Sequence, residues 1–341
     1  MKLDILCTDG SPLGVTSKTV WGDNWRIGVG GAELALLTMC EQWTKYGYEV
    51  VLYNDPQEAN ASPFEQRTVG EFDPKAKRDV LITFRSPNPL SLISNGLKVW
   101  WSCDQYTIGD FKNFSVGMNR IVCISDFHAK HFRDTYGIGN AIVIDLPVRV
   151  DDYKVDRPER IKNRIAFLSV PDRGLESLWR MWNQIKLKVP DASLVITSDY
   201  RLWGVGALNE KHRVRWIVKD DINFLGAISR EALIQEELKS DYFIYPCTYD
   251  ELFCISCAEA QYAGMFPVTS AMGALATTNM GEKIHVDPKD PRNDITFVKI
   301  VVDIMTDRDK TEQMRKIIQK VAKNRFSPTK ILADWDKKVF T

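Results

Sequence analysis

Tyr242-Phe-Ile-Tyr245-Pro-Cys-Thr-Tyr-Asp-Glu251-Leu-Phe253-Cys254-Ile255-Ser-Cys257-Ala-Glu259-Ala-Gln-Tyr-Ala-Gly264-Met-Phe266-Pro-Val-Thr-Ser270 reads as strand, loop, helix and strand in direct succession. The runs 242–245 and 266–270 are short and apolar, as in the strands of buried parallel sheets, and Gly264 is a helix stop. The spacing predicts a helix over 252–263. Seven residues separate Glu251 from Glu259. That puts one carboxylate in the strand-to-helix turn and the other about two turns along the helix side. In an open α/β sheet this turn is where ligands bind, and a helix N-terminus suits a phosphate. Carboxylates there repel a phosphate unless they hold something else, such as sugar hydroxyls. A nucleotide-sugar has both parts. Glu259 is flanked by Cys257, Ala258, Ala260 and Ala263, the small residues of a buried helix, and a buried glutamate needs a partner. Ribose hydroxyls would provide one; the plainer alternative is a solvated pair.

Around this stretch, apolar runs alternate with helical patterns, the sign of βα repeats and parallel sheets. Strands are predicted at 3–7, 49–53, 80–84, 99–102, 121–125 and 141–146, and again at 165–170, 193–197, 222–225 and 283–286. Further helices are predicted from Gly31 to about Tyr46-Gly47 and at 175–188, 230–239, 294–305, 310–323 and 328–340. A polar, proline-bearing stretch at 148–162 reads as an interdomain connection. The expected organisation is an α/β chain of two Rossmann-like domains, 1–147 and 148–324. Residues 325–341 form a C-terminal helix returning to the first domain. Ligand sites favour the cleft between such domains.

The chain has 341 residues, enough for two domains, with 45 basic and 45 acidic residues balancing to zero. A general attraction to nucleic acid or an anionic membrane is not indicated. No apolar run approaches a membrane span, and the N-terminus reads as a strand; a cytoplasmic location is expected. Seven cysteines, an odd number scattered through regular elements, fit reduced thiols. Cys254-Ile-Ser-Cys257 has no second pair to complete a zinc site. His128 and His131 read as solvent-facing or capping residues.

Gly30-Gly31-Ala32-Glu33 opens the first helix after a long loop; paired glycines let a backbone approach a ligand, or simply pack helix on sheet. Neither GxGxxG nor a P-loop is present. Arg173-Gly174 follows the first strand of the second domain, where a guanidinium can hold a diphosphate; otherwise Arg173 is a surface arginine. Trp21 and Trp25 can stack on a sugar or base, or cover the core. The basic clusters at 211–215 and 308–325 read as solvated faces.

Taken together, these motifs resemble the GT-B retaining glycosyltransferases of family four, the glycogen-synthase-like and mannosyltransferase-like enzymes, over nearly the whole chain. Gly30-Gly31-Ala32-Glu33 resembles their N-terminal glycine loop and Ser125-Asp126-Phe127-His128 their serine-led segment. Pro171-Asp172-Arg173-Gly174 resembles their diphosphate turn, Asn223-Phe224-Leu225-Gly226 the loop beside the base, and Glu251 to Glu259 their glutamate pair. The resemblance implies metal-independent transfer of a sugar, with retention, from a UDP- or GDP-sugar co-substrate to an acceptor hydroxyl on a glycan, glycolipid or small molecule, with no other cofactor. It implies that Glu251 contacts the donor sugar, that the Phe253, Cys254 and Ile255 amides approach sugar and phosphates, and that Glu259 holds the ribose. Arg173 would neutralise the diphosphate, Phe224 and Leu225 would flank the base, and Gly30 and Gly31 would approach phosphates or acceptor. Trp21, Trp25 and Glu33 fall on the acceptor side. Where many members carry a histidine, this chain has Cys103, with Asp104 as substitute. A second basic residue before the Arg173 turn is replaced by Ser169 and Val170. Two other readings share the fold: a phage-type enzyme glycosylating a hydroxymethylated DNA base, and a catalytically silent nucleotide-sugar-binding protein. Epimerases and phosphorylases use related architecture, but a phosphorylase needs a cofactor lysine site that the sequence does not display.

Overall fold

The computed structural model describes residues 1–10, 13–21, 29–58, 60–105, 109–197 and 221–341. Trp25, the turn Ser198-Asp199-Tyr200, the basic cluster at 211–215 and the side chain of Trp21 lie outside what is described.

The chain forms two compact units. Unit 1 comprises Met1–Val20, Val29–Arg149 and Phe326–Thr341, and unit 2 contains Val150–Arg325. Unit 1 is built on strands β1 (Lys2–Leu6), β2 (Glu49–Tyr53), β3 (Glu65–Arg67), β4 (Val80–Phe84), β5 (Leu97–Trp101), β6 (Arg120–Cys123) and β7 (Ile142–Val143). They form one sheet in the order β3-β2-β1-β4-β5-β6-β7, every pair parallel. Unit 2 carries β8 (Arg164–Phe167), β9 (Ser193–Ile196), β10 (Ile222–Phe224), β11 (Tyr242–Tyr245), β12 (Phe266–Ser270) and β13 (Glu282–Ile284). Their order is β10-β9-β8-β11-β12-β13, again all parallel. β4, β8, β11 and β12 are buried along their whole length, because helices cover both faces; hence the continuous apolar runs in the sequence. In each sheet the strand order reverses once, between β1 and β4 and between β8 and β11, which creates a crevice at the carboxyl ends of those strands.

The C-terminal segment Phe326–Thr341 joins unit 1. Ser327 caps the helix Pro328–Trp335, and Trp335, fully buried, packs edge-on against Trp43 and Trp101 at 5.3 and 5.2 Å. Such aromatic contacts contribute roughly 0.5–1.5 kcal/mol each beyond area burial. Asp336–Phe340 winds on as a π-turn where a continuous helix was expected.

Several expectations are corrected. The helix predicted over 252–263 begins at Ile255, because Cys254 adopts a left-handed backbone, φ +70°. Glu259 is therefore little more than one turn from the helix start. β3, Glu-Gln-Arg, is a polar edge strand with no apolar alternation to reveal it. β7 spans two residues, not the predicted six. His128 is wholly buried instead of solvent-facing: its Nδ1 accepts from the Ile124 N–H at 3.3 Å, and burial pushes its pKa down to about 3. The stretch at 148–162 is more than a polar connection, because Asp152 and Tyr153 are buried.

Candidate functional site

In unit 2 the loops after β8 and β11 meet at the strand-order reversal. Thr248 ties them together, its N–H donating to the Arg173 carbonyl at 3.3 Å and its hydroxyl to the Asp172 carbonyl at 3.1 Å. Two left-handed glycines allow the close approach. A Cβ on Gly174 would lie 2.2 Å from the Pro246 carbonyl oxygen, and one on Gly273 would lie 2.4 Å from the Glu251 carbonyl oxygen. No larger residue fits either place without moving the loop that carries Glu251.

Glu251 is thereby held almost buried, 6% exposed. The Arg173 Nη1 donates to its two carboxylate oxygens at 3.0 and 3.3 Å, and the Tyr245 hydroxyl donates to Oε1 at 2.8 Å. Tyr245 also lies 3.0 Å from the Ser169 hydroxyl, and the Arg173 guanidinium sits 4.4 Å above the Tyr249 ring. Burial works against the Arg173 charge, but Glu251 and the two tyrosines outweigh it and hold the pKa above its ordinary value. Burial and the Glu251 charge push the Tyr245 phenol well up, so it stays a neutral donor. Arg173 and Glu251 are thus brought together, a pairing that the sequence reading did not make. Tyr245 escaped notice because it looks like any strand aromatic.

Phe253, Cys254 and Ile255 head the helix Ile255–Ala263 on the same loop. The left-handed Cys254 at its N-cap is a strained position for a side-chain-bearing residue. Phe224 ends β10, and the Leu225 N–H donates to the Ile196 carbonyl at 2.9 Å; both pack against the unit 2 core.

Glu259 is buried, as expected, but its partner is protein. Arg230 Nη2 donates to Glu259 Oε1 at 2.5 Å and its Nε to Asp152 Oδ2 at 2.8 Å. A ligand is therefore not needed to compensate Glu259. Tyr153 and Glu237 close the network through a 2.5 Å hydrogen bond. The sequence does carry a signal for Arg230: it opens the helix Arg230–Lys239, right after the Ser229 cap, where the dipole disfavours a cation. A basic residue there needs carboxylates around it.

In unit 1 the strand reversal carries its own polar cluster. Ser86 donates to Asp9 at 2.6 Å, Asn88 to the Thr8 hydroxyl at 3.0 Å, and Arg85 Nε lies 2.6 Å from Asp104 Oδ2. Gly30 caps and Gly31 begins the helix Gly31–Lys45, with Glu33 buried in its first turn. Arg85 and Asp9 were not singled out from sequence.

All seven cysteines are free. Burial raises every thiol, so Cys254 and Cys257 stay protonated and do not form a poised redox pair. Among the described residues no three His, Cys, Asp or Glu side chains are grouped to hold a metal, and no helix is long and apolar enough to cross a membrane.

Two parallel Rossmann-like units, with a glutamate and an arginine paired at the strand reversal of the second, define a protein of the GT-B class. Residues 170–321 match the family of glycosyl transferases group 1. The uncharacterized glycosyltransferase YqgM of Bacillus subtilis (strain 168) is 23% identical over 181 residues, 51% of this chain. That match spans about half the length of the relative, 48%. Anabaena Alr3699/HepE, solved in complex with UDP and glucose, superimposes with a TM-score of 0.73 at 16% identity over 99% of each chain. A glycosyltransferase from Rickettsia africae ESF-5 gives 0.70 at 14% identity, over 99% of this chain and 97% of its own.

Proposed function

We propose that this protein transfers a sugar from a nucleotide-sugar to an acceptor hydroxyl with retention of anomeric configuration. The observation that carries the reading is the Arg173–Glu251 pair at the mouth of the helix Ile255–Ala263. The bond from the anomeric carbon to the β-phosphate oxygen breaks, and the acceptor oxygen bonds to that carbon on the same face. The acceptor proton passes to the departing diphosphate. Negative charge grows on the phosphate, and Arg173 with the helix-end amides of Phe253, Cys254 and Ile255 stabilises it. These groups supply the positive charge that a metal supplies elsewhere. Glu251 orients donor hydroxyls and modulates Arg173; it is not the nucleophile. Glu259, fixed by Arg230, takes the ribose hydroxyls with its remaining lone pairs. On unit 1, Asp104 offers a carboxylate where related enzymes offer a histidine.

The relative crystallised with UDP-glucose makes that donor the first to try. Thermal-shift screening across UDP-, GDP- and ADP-sugars tests the reading, because a bound donor stabilises the fold by mass action. If no nucleotide or nucleotide-sugar moves the melting temperature, the proposal fails. Glu259→Ala should weaken nucleotide binding and Glu251→Ala should mainly lower turnover. Binding with neither hydrolysis nor transfer would identify the silent nucleotide-sugar-binding alternative instead, in which Glu251 stays satisfied by Arg173 and Tyr245.

A further inference from the structure

Asp152 and Tyr153 end the short 3-10 turn Val150–Tyr153, which opens the long segment of unit 2 directly after Arg149 of unit 1. Their neighbour Asp151 is exposed and pairs with Lys154, as a polar connection should. Asp152 and Tyr153 are instead buried. Asp152 accepts from Arg230 Nε at 2.8 Å, at the head of the helix Arg230–Lys239. The Tyr153 hydroxyl donates to Glu237, two turns further along the same helix face. The Tyr153 ring lies 4.8 Å from that of Tyr262, on the helix Ile255–Ala263 that carries Glu259. Two successive residues thus fasten the turn to the helix of Arg230 at two points and touch the helix of Glu259.

What Asp152 does to Arg230 decides how Glu259 is held. A guanidinium is a planar fork of five N–H donors and grips a carboxylate best through two of them at once. Arg230 does not hold Glu259 in that way. Its Nε goes to Asp152 Oδ2, and only Nη2 goes to Glu259, at Oε1. Glu259 Oε2 takes no donor among the described residues, and it is not among the partnerless atoms sealed from solvent. Burial opposes the charge on Arg230, but Glu259, Tyr153, Asp152 and Glu237 outweigh it and raise its pKa well above the ordinary value. One full positive charge is therefore divided between carboxylates on different elements. Without the charge of Asp152, the fork is free to turn and close on both oxygens of Glu259.

We infer that Asp152 is a positioning residue for nucleotide binding: it draws the Nε edge of Arg230 to itself, keeps Glu259 singly bonded and leaves Oε2 to the ribose hydroxyls. This rests on the ribose role proposed for Glu259 and adds to it a residue that never touches the ligand. It also makes the turn that opens the long segment of unit 2 part of nucleotide recognition.

The test is a double-mutant cycle on the full chain, with UDP and GDP as probes and affinity read by calorimetry. Asp152→Asn keeps the shape of the side chain and drops its charge. It should weaken nucleotide binding about tenfold, the effect of losing one hydrogen bond to a charged group. In a Glu259→Gln background the same change should have no further effect, because the charge that attracts the fork is gone. A purely structural Asp152 would weaken binding equally in both backgrounds. With the donor that binds, KM should rise while kcat at saturation holds. Arg230→Lys keeps the charge but cannot reach both carboxylates at once, and it should weaken nucleotide binding likewise. It decides the matter if Asp152→Asn fails to fold. Wild-type affinity in these variants, equal losses in the two backgrounds, or a fall in kcat with KM unchanged overturns the inference. If neither nucleotide binds the wild type, the sugar-transfer reading falls instead, and urea unfolding of the same cycle decides the unit. The loss from Asp152→Asn and Glu259→Gln together should then exceed the sum of the single losses, since Arg230 lacks both charges. Simple additivity overturns the inference.

Discussion

Arg173 and Glu251 meet at 3.0 Å although they stand 78 positions apart along the chain. The parallel neighbours β8 and β11 end side by side, and each delivers one partner from the loop that follows it. Under the proposed sugar transfer, donor binding would share Arg173 between Glu251 and phosphate.

Replacing Arg173 by Ala is expected to lower the transfer rate on the order of 10²–10³-fold, the usual effect of losing one donor to developing charge. Arg173→Lys should recover part of it, since the point charge returns without the planar fork. Initial rates with the donor identified by thermal shift check this. Rates unchanged in Arg173→Ala would mean that the guanidinium only neutralises Glu251.

Arg230 faces a harsher outcome. It is buried between Asp152 and Glu259, so Arg230→Ala strips both carboxylates of this guanidinium. A loss of about 3–5 kcal/mol is expected in urea unfolding. The double variant Arg230→Met with Glu259→Gln should recover only part of that loss, because Asp152 still lacks its Arg230 partner, yet bind nucleotide poorly. Nucleotide affinity retained in that double variant would argue against Glu259 as the ribose ligand.

Burial and the nearby Glu259 charge push the Glu237 carboxyl up to about 8, against the pull of Arg230 and the Tyr153 hydroxyl; Asp152 adds repulsion. The folded protein then keeps a proton that the unfolded chain, near the ordinary 4.5, has released. The resulting stability is fully present below the unfolded value and is lost as pH rises through about 8. The slope approaches ~1.4 kcal/mol per pH unit within that window. Urea titrations of wild type and Glu237→Gln across the window should diverge by this slope. Parallel profiles would show that Glu237 is ionised when folded.

Gly273→Ala should reshape the site from outside it. The new Cβ would lie 2.4 Å from the Glu251 carbonyl oxygen and 2.7 Å from its nitrogen, at φ +56°. The left-handed backbone alone costs about 1–3 kcal/mol. Displacement of Glu251 should lower kcat more than donor affinity, and kinetics beside a thermal melt separate the two effects. A variant with wild-type kcat would mean that the loop yields without moving the carboxylate.

Much of unit 2 is legible in its sequence because its signals are local. The helices Leu175–Lys188 and Arg230–Lys239 and the strands β11 and β12 follow from apolar period and glycine stops. The helix start at Ile255 is not legible, since nothing in Leu252-Phe253-Cys254 announces a left-handed cysteine. Nor is the burial of His128, whose helix looks amphipathic and polar until the sheet it covers is in place.

The sequence by itself determined the alternation of strands and helices, the glutamate spacing, and the residue types gathered around a diphosphate-like turn. These depend on neighbours within a few positions along the chain. Only the tertiary structure decided which charges meet: Arg173 with Glu251, Arg230 with Asp152 and Glu259, Arg85 with Asp104. Pairing and desolvation are set by strand order and by what packs above each side chain, and neither is written in any short stretch of the chain.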